Sequence, residues 1–576
     1  MGISFEKLYK RAQTYDKISA WENFKNADIL WDFNRRAIYL SLANLYWTKG
    51  RMADFTIALE IESGYDKISA YESFNSRIFY EILIVAWEKS YEEKTRKDCM
   101  MRKTKIICTI GPASESEDML RKLMEGGMNA ARLNFSHGSH EEHLKKINLI
   151  KKVREELGRH VAIVLDTKGP EIRTGKFALP EVELKDGQKF TLTTRDVEGT
   201  EEICSVSYDK LPQDLKVGDK VLIDDGLLQL TVDKIDGTDI ACTVENGGIV
   251  KNNKGINVPN VKINLPALTE KDIDDIRFGV ENGVDFVAAS FIRKADDVRA
   301  IRKLLKELGG EEIMIISKIE NKEGLDNIDE IIAESDGIMV ARGDLGVEIP
   351  MQDVPVAQKR IIKKCNDKGI IVVTATQMLD SMMRNPRPTR AEVADVANAI
   401  FDGTDAIMLS GETASGKYPL ESVATMKNIA HATEEALNYH DMQLERAGEK
   451  DKSITNAIAH ATCTVAAGLG VSAILTPTAS GYTAFMVARF RPEPPIIAPT
   501  YRESVARKLA LCWGTYPAVI AKGEHQRDVF QSAIEAGMKK GLLKDGDQIV
   551  ITAGVPLLKH GNTNLMRIHV VGESLS

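Results

Sequence analysis

The segment IMIISKIE, residues 313–320, is a short apolar run that ends in a lysine and a glutamate. Seven more runs of this form lie between residues 104 and 412, and helix-forming stretches separate most of them. Parallel strands that are buried on both faces have this continuous apolar pattern, and eight of them with intervening helices are typical of a (β/α)8 barrel. The sequence therefore predicts a barrel with strands within residues 104–111, 130–136, 161–166, 286–292, 313–320, 337–344, 370–377 and 406–412.

Polar side chains follow the predicted strands at their C-terminal ends, where such barrels carry out chemistry. Side chains two residues apart on a strand share a face, so Lys318 and Glu320 are expected to project together. A buried lysine or glutamate is costly to desolvate unless it is paired or metal-bound, so we favour a functional site over ion pairs that merely end the strands. The candidate residues are Arg132, Asn134, Ser136, Asp166, Lys318, Glu320, Asp344 and Thr376.

Length, charge and cysteine content limit the class of protein. A chain of 576 residues suggests three to four domains, and a net charge of -8 with a pI near 5.9 indicates no binding to nucleic acid or to an anionic membrane. Seven cysteines without paired spacing fit a reducing compartment, and charged residues interrupt the apolar runs of the amino-terminal segment. We therefore expect a cytoplasmic protein without a signal peptide or a membrane span.

The first 100 residues differ from the rest. They contain four of the five tryptophans, and the segment YDKISAWENF at 15–24 recurs as YDKISAYESF at 65–74. The surrounding pattern predicts a small all-α extension of two repeated units, with a packing, dimerisation or partner-binding role. It is either a genuine fused domain or a foreign sequence joined ahead of Met101.

Two further regions have their own patterns. Between residues 171 and 265 short β-prone runs alternate with Asp-Gly pairs, which predicts an inserted small β-barrel that acts as a lid on the active site. From residue 439 to residue 576 strands alternate with amphipathic helices, which predicts an open α/β regulatory domain. The barrel then comprises residues 101–170 and 266–438.

The chain from Met101 onward resembles the pyruvate kinase family, in family order and over about four fifths of its length. The resemblance rests on KTKIICTIGPAS (103–114), RLNFSHG (132–138), DTKGPEIRTG (166–175), SKIEN (317–321), ARGDLG (341–346), ATQMLDSMM (375–383), PRPTRAE (386–392) and LSGETASGKYP (409–419). It implies transfer of the phosphoryl group of phosphoenolpyruvate to ADP, which gives ATP and pyruvate.

The resemblance also implies roles for the barrel residues. Glu320 and Asp344 would bind Mg²⁺ or Mn²⁺, and two carboxylates that leave open octahedral positions suit such a hard cation. Arg132 and Lys318 would stabilise the phosphoryl group in flight, with Lys318 as the closest clamp. Backbone amides around Gly343 and Asp344 would receive the substrate carboxylate.

By the same resemblance, Thr376 lies near the enol carbon that is protonated after transfer. A second, monovalent cation is implied by Asn134, Ser136, Asp166 and Thr167, whose neutral oxygens and single carboxylate suit a large ion better than Mg²⁺. A glutamate at the position of Glu171 goes with K⁺ dependence in this family, so we predict activation by K⁺.

Nucleotide and effector contacts are implied as well. His137 and Arg173 match family positions near ADP, and Lys254 matches a basic lid position, although Asn253 replaces the lysine that normally precedes it. In the C-terminal domain TPTASGYT, residues 476–483, would hold the phosphate of a sugar phosphate or nucleotide effector, while an ordinary helix cap explains the pattern as well. The effector-phosphate candidates are Thr478, Ser480, Gly481 and Thr483.

Two other motifs are weak. GETASGKY, residues 411–418, nearly fits a P-loop, but Tyr418 stands where Mg²⁺ binding needs serine or threonine. The spacing of His137, His140 and His143 could bind zinc, yet the pattern around His140 and His143 predicts a solvent-exposed helix.

Three broader alternatives remain: a non-catalytic metabolite sensor, a phosphoenolpyruvate-using lyase, and a phosphotransferase with a phosphohistidine. The joint presence of the clamp, the carboxylate pair and the lid favours pyruvate kinase. The resemblance further implies a homotetramer.

Overall fold

A computed structural model describes residues 29–33, 36–40, 56–63, 66–73, 102–447, 452–523, 525–556 and 562–575. The chain divides into two compact units, Met1–Lys97 and Asp98–Ser576. In the part of the chain that the structure describes, no helix is long and apolar enough to span a membrane.

The described residues of the first unit form a four-stranded antiparallel sheet of β1 (Ile29–Phe33), β2 (Arg36–Leu40), β3 (Thr56–Ser63) and β4 (Asp66–Ser73), in that order. The prediction of an all-α extension is therefore wrong for these residues. The reason is the period of the sequence: in β3, Ile57, Leu59 and Ile61 alternate with Ala58, Glu60 and Glu62, which suits a strand. The repeat copy at 65–74 spans β4, and the copy at 15–24 lies outside the described residues.

The second unit is built on a closed barrel of eight parallel strands, which confirms the predicted fold class. Each strand lies within one of the eight apolar runs, and nearly every strand residue is buried. The strands are β5 (Lys105–Thr109), β6 (Ala130–Asn134), β7 (Ala162–Asp166), β17 (Phe286–Ala289), β18 (Met314–Ile319), β19 (Gly337–Ala341), β20 (Ile371–Ala375) and β21 (Ala406–Leu409).

Helices surround the barrel, and side chains at their N-termini explain where several begin. Ser139, Thr269 and Thr389 each accept a backbone N–H three residues later within a capping box. The helices are α1 (Glu117–Gly126), α2 (His140–Glu156), α4 (Glu270–Glu281), α5 (Ala295–Glu307), α6 (Lys322–Asp326), α7 (Ile328–Glu334), α8 (Arg342–Glu348), α9 (Val354–Lys368), α10 (Arg390–Phe401), α11 (Gly411–Ala414), α12 (Pro419–Glu435) and α13 (Tyr439–Ala447), with α3 (Leu211–Asp214) in the lid.

An all-β insertion interrupts the barrel between β7 and β17. Its strands are β8 (Ile172–Arg173), β9 (Glu181–Leu184), β10 (Lys189–Thr193), β11 (Ile203–Ser205), β12 (Lys220–Ile223), β13 (Leu228–Asp236), β14 (Asp239–Asn246), β15 (Gly248–Lys251) and β16 (Gly255–Asn257). A seven-stranded sheet has the order β11-β10-β14-β13-β12-β16-β8, and β15 pairs with β9 in a second, two-stranded sheet.

The C-terminal part is an open α/β sheet with strands β22 (Ala473–Leu475), β23 (Ile496–Thr500), β24 (Thr515–Val519), β25 (Gln548–Ala553) and β26 (Leu565–Val570). Their order is β24-β23-β22-β25-β26, with the β25–β26 pair antiparallel and the other three pairs parallel. Its helices are α14 (Ile454–Leu469), α15 (Tyr482–Ala488), α16 (Glu503–Leu509) and α17 (Gln526–Lys539).

A polar side chain precedes every second barrel strand, at the end of the barrel opposite the candidate site. Asn129, Asp285, Asp336 and Asp405 accept the backbone N–H of Ile106, Ile163, Ile315 and Val372 at 2.8–2.9 Å. Each acceptor also meets an arginine, namely Arg102, Arg507, Arg302 and Arg491 respectively. Arg507 and Arg491 come from the C-terminal sheet domain, so two of the four pairs fasten that domain to the base of the barrel.

Candidate active site

The predicted residues lie at or just beyond the C-terminal ends of the barrel strands, at one end of the barrel. Arg132 and Asn134 lie on β6, Asp166 ends β7, and Lys318 lies on β18 with Glu320 one residue beyond the strand. Asp344 lies in the first turn of α8, and Thr376 follows β20. Lid residues Asp225 and Lys254 line the same cavity of about 560 Å³ as Asp344 does. The candidate site therefore lies between the barrel mouth and the lid.

Lys318 is the centre of this site. Its Nζ lies 2.9 Å from Oε1 of Glu320 and 3.1 Å from Oδ1 of Asp166, and it donates to Ser290 Oγ at 2.8 Å. Burial alone would lower the pKa of Lys318, but the two carboxylates outweigh it and raise that pKa above its ordinary value. Lys318 is therefore a fixed cation at neutral pH.

Ser290 was missed by the sequence analysis. It follows β17, accepts from Lys318 and donates from Oγ to the carbonyl oxygen of Thr167 at 2.7 Å. The available signal was its position, because it is a polar residue at the C-terminal end of the fourth apolar run. The serine orients the lysine that the sequence had singled out.

Arg132 and Asp166 form the second buried ion pair of the site. Arg132 Nε donates to Asp166 Oδ2 at 2.5 Å, and its NH1 donates to Thr109 Oγ1 at 3.0 Å. Burial would raise the pKa of Asp166, but Arg132 and Lys318 together lower it below its usual value. Asp166 is thus a carboxylate that both cations hold ionised.

Glu320 and Asp344 are carboxylates whose burial makes them costly to ionise. Burial raises the pKa of Glu320 to about 7, even though Lys318 and the backbone N–H of Phe291 oppose the shift. Burial also raises the pKa of Asp344, and the nearby charges of Asp225 and Glu171 add to it. A bound cation would relieve this cost, and oxygen donors suit a hard divalent ion. The two residues therefore fit the predicted divalent site.

The predicted monovalent-cation residues lie on, or just after, the adjacent strands β6 and β7. Asn134 and Asp166 are direct partners in the β6–β7 register, and Asn134 Oδ1 accepts the backbone N–H of Ser136 at 3.1 Å. Thr167 is buried directly after β7, with its carbonyl bonded to Ser290. An amide, hydroxyls and one carboxylate form a donor set that suits a large monovalent ion.

Thr376 contacts the segment predicted to receive the substrate carboxylate. The backbone N–H of Gly343 donates to Thr376 Oγ1 at 2.7 Å, and the threonine has a φ of +68°. A β-branched residue in the left-handed region is rare and strained, so its surroundings must hold it there.

Two of the three predicted nucleotide contacts, Arg173 and Lys254, have other partners in this structure. Arg173 donates from Nε to Glu171 at 2.6 Å and from NH1 to the carbonyl oxygen of Asn253 at 2.7 Å. Lys254 Nζ lies 2.8 Å from Asp224 Oδ1. Asn253 has a φ of +57°, a conformation that asparagine tolerates better than lysine, which gives a physical reason for the replacement at this position.

The alternative motifs have structural explanations. His143 Nε2 bonds the carbonyl oxygen of His137 at 2.8 Å, while His140 Nε2 lies 2.8 Å from Asp275. Among the described residues, no group of three or more His, Cys, Asp or Glu is arranged to hold a metal. Glu412, in the P-loop-like segment, accepts the backbone N–H groups of Leu379 and Ser410. These hydrogen bonds give Glu412 a structural role within the P-loop-like segment.

The effector candidates line a second cavity, in the C-terminal domain. Thr478 Oγ1 accepts the backbone N–H of Gly481 at 2.9 Å, and Ser480 lies at the same turn. Thr483 is buried, and its hydroxyl lies 2.9 Å from that of Thr563. Tyr501 and Lys522 also line this cavity, as do Gly554 and Asn562.

Fold and site together define a (β/α)8-barrel enzyme in which a buried lysine and two carboxylates face a lid. Family models described as "Pyruvate kinase, barrel domain" and "Pyruvate kinase, alpha/beta domain" match residues 101–423 and 456–569. The first match alone covers more than half of the chain. The chain belongs to the pyruvate kinase family.

Three curated pyruvate kinases are similar in sequence to most of this chain. A pyruvate kinase of Geobacillus stearothermophilus is 56% identical over 479 residues, which is 83% of this chain and 82% of the relative. One of Clostridium acetobutylicum is 55% identical over 472 residues, which is 82% of this chain and 100% of the relative. One of Sporosarcina psychrophila is 54% identical over 481 residues, 83% of this chain and 82% of the relative.

Proposed function

We propose that this chain transfers the phosphoryl group of phosphoenolpyruvate to ADP, giving ATP and pyruvate, with Lys318 as the clamp on the moving group. The observation that carries the proposal is the position of Lys318 Nζ, buried between Asp166 and Glu320 at 3.1 and 2.9 Å. Phosphoryl transfer requires mainly positioning and charge stabilisation, which a fixed buried cation supplies. Family membership supports the same reaction.

The proposed roles of the other residues follow from their chemistry. Arg132 adds positive charge next to Lys318, and Thr376 lies near the carbon that gains a proton. The backbone amide of Asp344 orients the substrate carboxylate, because that of Gly343 is bonded to Thr376 Oγ1. Glu320 and Asp344 would hold Mg²⁺ or Mn²⁺, which when bound neutralises charge on the substrate oxygens. Closure of the lid, with Arg173 and Lys254 on the nucleotide and His137 contributing from the barrel, would exclude water from the transfer.

A coupled assay of pyruvate formation tests this function directly. Phosphoenolpyruvate, ADP and Mg²⁺ are supplied with K⁺, and turnover above the enzyme-free rate is expected. Absence of pyruvate at any substrate concentration in the folded protein would favour the sensor alternative. Pyruvate without stoichiometric ATP would instead indicate a phosphatase-type or lyase-type reaction.

We also propose that K⁺ activates the enzyme through Asn134, Ser136, Asp166 and Thr167. The single carboxylate of Asp166 among neutral oxygens supports a monovalent ion. A Glu171→Lys variant, which supplies a tethered ammonium, should be active without K⁺, whereas Glu171→Gln should remain inactive without it. Full wild-type activity in buffer free of both Na⁺ and K⁺ would refute the proposal.

Regulation by a phosphorylated metabolite is the next part of the proposal. The turn at Thr478, Ser480 and Gly481, together with Thr483, borders the C-terminal cavity, and Lys522 supplies a cation there. Inorganic phosphate, a sugar phosphate and a nucleoside monophosphate are suitable probes. In wild type, at least one of these probes should lower the half-saturating concentration of phosphoenolpyruvate. In Thr478→Val, none of them should change that concentration.

We further propose a homotetramer in the cytoplasm. Met351 and Val356 are largely exposed apolar side chains on one side of the barrel, which supports burial against another subunit. Six cysteines of the described part are buried and unpaired, which supports a reducing compartment. Light scattering of the purified chain measures the assembly state.

A further inference from the structure

The conformation of the segment after β20 needs support from elsewhere in the fold. Thr376 and Gln377 have φ values of +68° and +54°, both in the left-handed region. For a β-branched residue this conformation is strained and persists only where surrounding contacts hold it. The segment would otherwise relax and move the hydroxyl of Thr376.

Arg342 supplies those contacts from the start of α8. Its Nε donates to the carbonyl oxygen of Ala375 at 3.2 Å, and its NH2 donates to the carbonyl oxygen of Thr376 at 2.8 Å. The next residue, Gly343, donates its backbone N–H to Thr376 Oγ1 at 2.7 Å. Two consecutive residues of α8 thus hold both the backbone and the hydroxyl of Thr376.

Arg342 is itself anchored on the outer helices. Its NH1 donates to Asp395 Oδ1 on α10 at 2.7 Å, and Gln358 Oε1 on α9 lies 3.4 Å from the same nitrogen. The side chain is 12% exposed, so it is held away from solvent. A planar guanidinium can serve three acceptors in fixed directions at once, which a lysine ammonium on a flexible stem cannot do.

We propose that Arg342 is a positioning residue for the proton-transfer step, acting through the left-handed conformation of Thr376. The proposal rests on the function and on the role of Thr376 proposed above. After phosphoryl transfer, C3 of the enolate gains a proton and a C–H bond forms. In reverse, a methyl C–H bond of pyruvate breaks and its proton passes to solvent. Displacement of Thr376 should impair this step more than the binding of phosphoenolpyruvate.

The reverse step can be measured by itself. Pyruvate in D₂O, with Mg²⁺, K⁺ and inorganic phosphate in place of the transferred group, loses its methyl ¹H signal as deuterium replaces hydrogen. Arg342→Lys is expected to slow this exchange about 10²-fold, since a displacement of about 1 Å at a reacting group costs that much, with the KM for phosphoenolpyruvate within about threefold of wild type. Asp395→Asn, which leaves both carbonyl contacts possible, should slow exchange less than about fivefold.

A double-mutant cycle with Thr376→Ala identifies the route of the effect. If Arg342 acts through Thr376, adding Arg342→Lys to Thr376→Ala should slow exchange by no more than about threefold further. Equal slowing by Arg342→Lys in both backgrounds would overturn the proposal, as would an effect confined to the KM for phosphoenolpyruvate. A melting temperature within a few degrees of wild type is required of each variant.

Two separate results distinguish an error in the proposed reaction from an error in the role of Arg342. If wild type forms no pyruvate from phosphoenolpyruvate and ADP, the function itself is wrong. If wild type turns over and exchanges deuterium but Arg342→Lys does both at the wild-type rate, only the role of Arg342 is wrong. If Arg342→Lys unfolds, Arg342→Gln, which keeps two donors for the carbonyl oxygens, provides the same comparison.

Discussion

The ammonium nitrogen of Lys318 lies 2.9 Å from Oε1 of Glu320, and both side chains are buried. Replacing Lys318 by methionine keeps much of the volume but leaves Glu320 and Asp166 without their shared cation. We expect kcat to fall by about 10³-fold or more, because a preorganised charge on the phosphoryl group is lost. The coupled pyruvate assay measures this.

Lys303→Met is the matched control for that variant. Lys303 lies on α5, and its exposed ammonium lies 3.8 Å from Oε1 of Glu307. Its replacement should leave kcat within about twofold of wild type, since exposed pairs contribute little. Retention of most turnover by Lys318→Met would contradict the assignment of the clamp.

Arg491 should be important for stability through its contacts with the base of the barrel. Its NH1 donates to Asp405 at 2.8 Å and its NH2 donates to the carbonyl oxygen of Gly403 at 2.6 Å, with the side chain only 2% exposed. Arg491→Met leaves the buried Asp405 unpaired, so the free energy of unfolding should fall by about 3–5 kcal/mol. Urea unfolding followed by fluorescence measures the change.

The comparison for Arg491 is Arg502→Met. Arg502 also joins the C-terminal domain to the barrel, through Glu312, but this pair is partly exposed. Its loss should cost less than about 1 kcal/mol. Similar losses in the two variants would show that burial does not govern the strength of this contact.

Lys105 should make stability depend on pH. Burial lowers its pKa to about 7, with repulsion from Arg102 adding to the shift and with Cys512, Glu434 and Asp405 opposing it. Between about pH 7 and the ordinary lysine pKa of 10.5, the unfolded chain holds a proton that the folded chain lacks. The free energy of unfolding therefore rises with pH in this window, by about 1 kcal/mol per pH unit from this residue.

Lys105→Met removes that contribution. The stability of wild type relative to this variant should increase by roughly 2 kcal/mol from about pH 7.5 to about pH 9.5, as measured by urea unfolding at each pH. Lys122→Met, which alters an exposed lysine, should show no such change. A constant difference between wild type and Lys105→Met would mean that Lys105 is charged in the folded protein throughout the range.

A chain that begins at Met101 should fold and keep its turnover. Residues Asp98–Ser576 form a compact unit, and the Clostridium acetobutylicum relative is matched over 100% of its length by 82% of this chain. We expect kcat and the thermal midpoint to equal those of the full chain. Turnover that appears only in the shortened chain would make the first 100 residues an inhibitor, and a change in oligomer size would give them a role in assembly.

Much of the site could be predicted because its residues lie next to the features that locate them. Lys318 and Glu320 alternate at the end of an apolar run, so a local pattern reveals both the strand and the shared face. The alternation in β3 is equally local, and it indicates a strand where the repeat pattern predicts helices. Ser290 carries no charge, so its position at a strand end does not distinguish it from other polar residues.

Local sequence patterns were enough to predict the eight-stranded barrel, the inserted β region, the C-terminal α/β sheet and most of the candidate residues, because burial on both faces and chemistry at strand ends are both visible locally. Such patterns do not reveal which charged groups pair with one another in the folded chain. Arg491 meets Asp405 across 86 residues of chain, and Arg342 reaches the carbonyl of Thr376 across 34. Such contacts depend on how helices and strands pack, and so does the left-handed conformation of Thr376, which no propensity of threonine would favour.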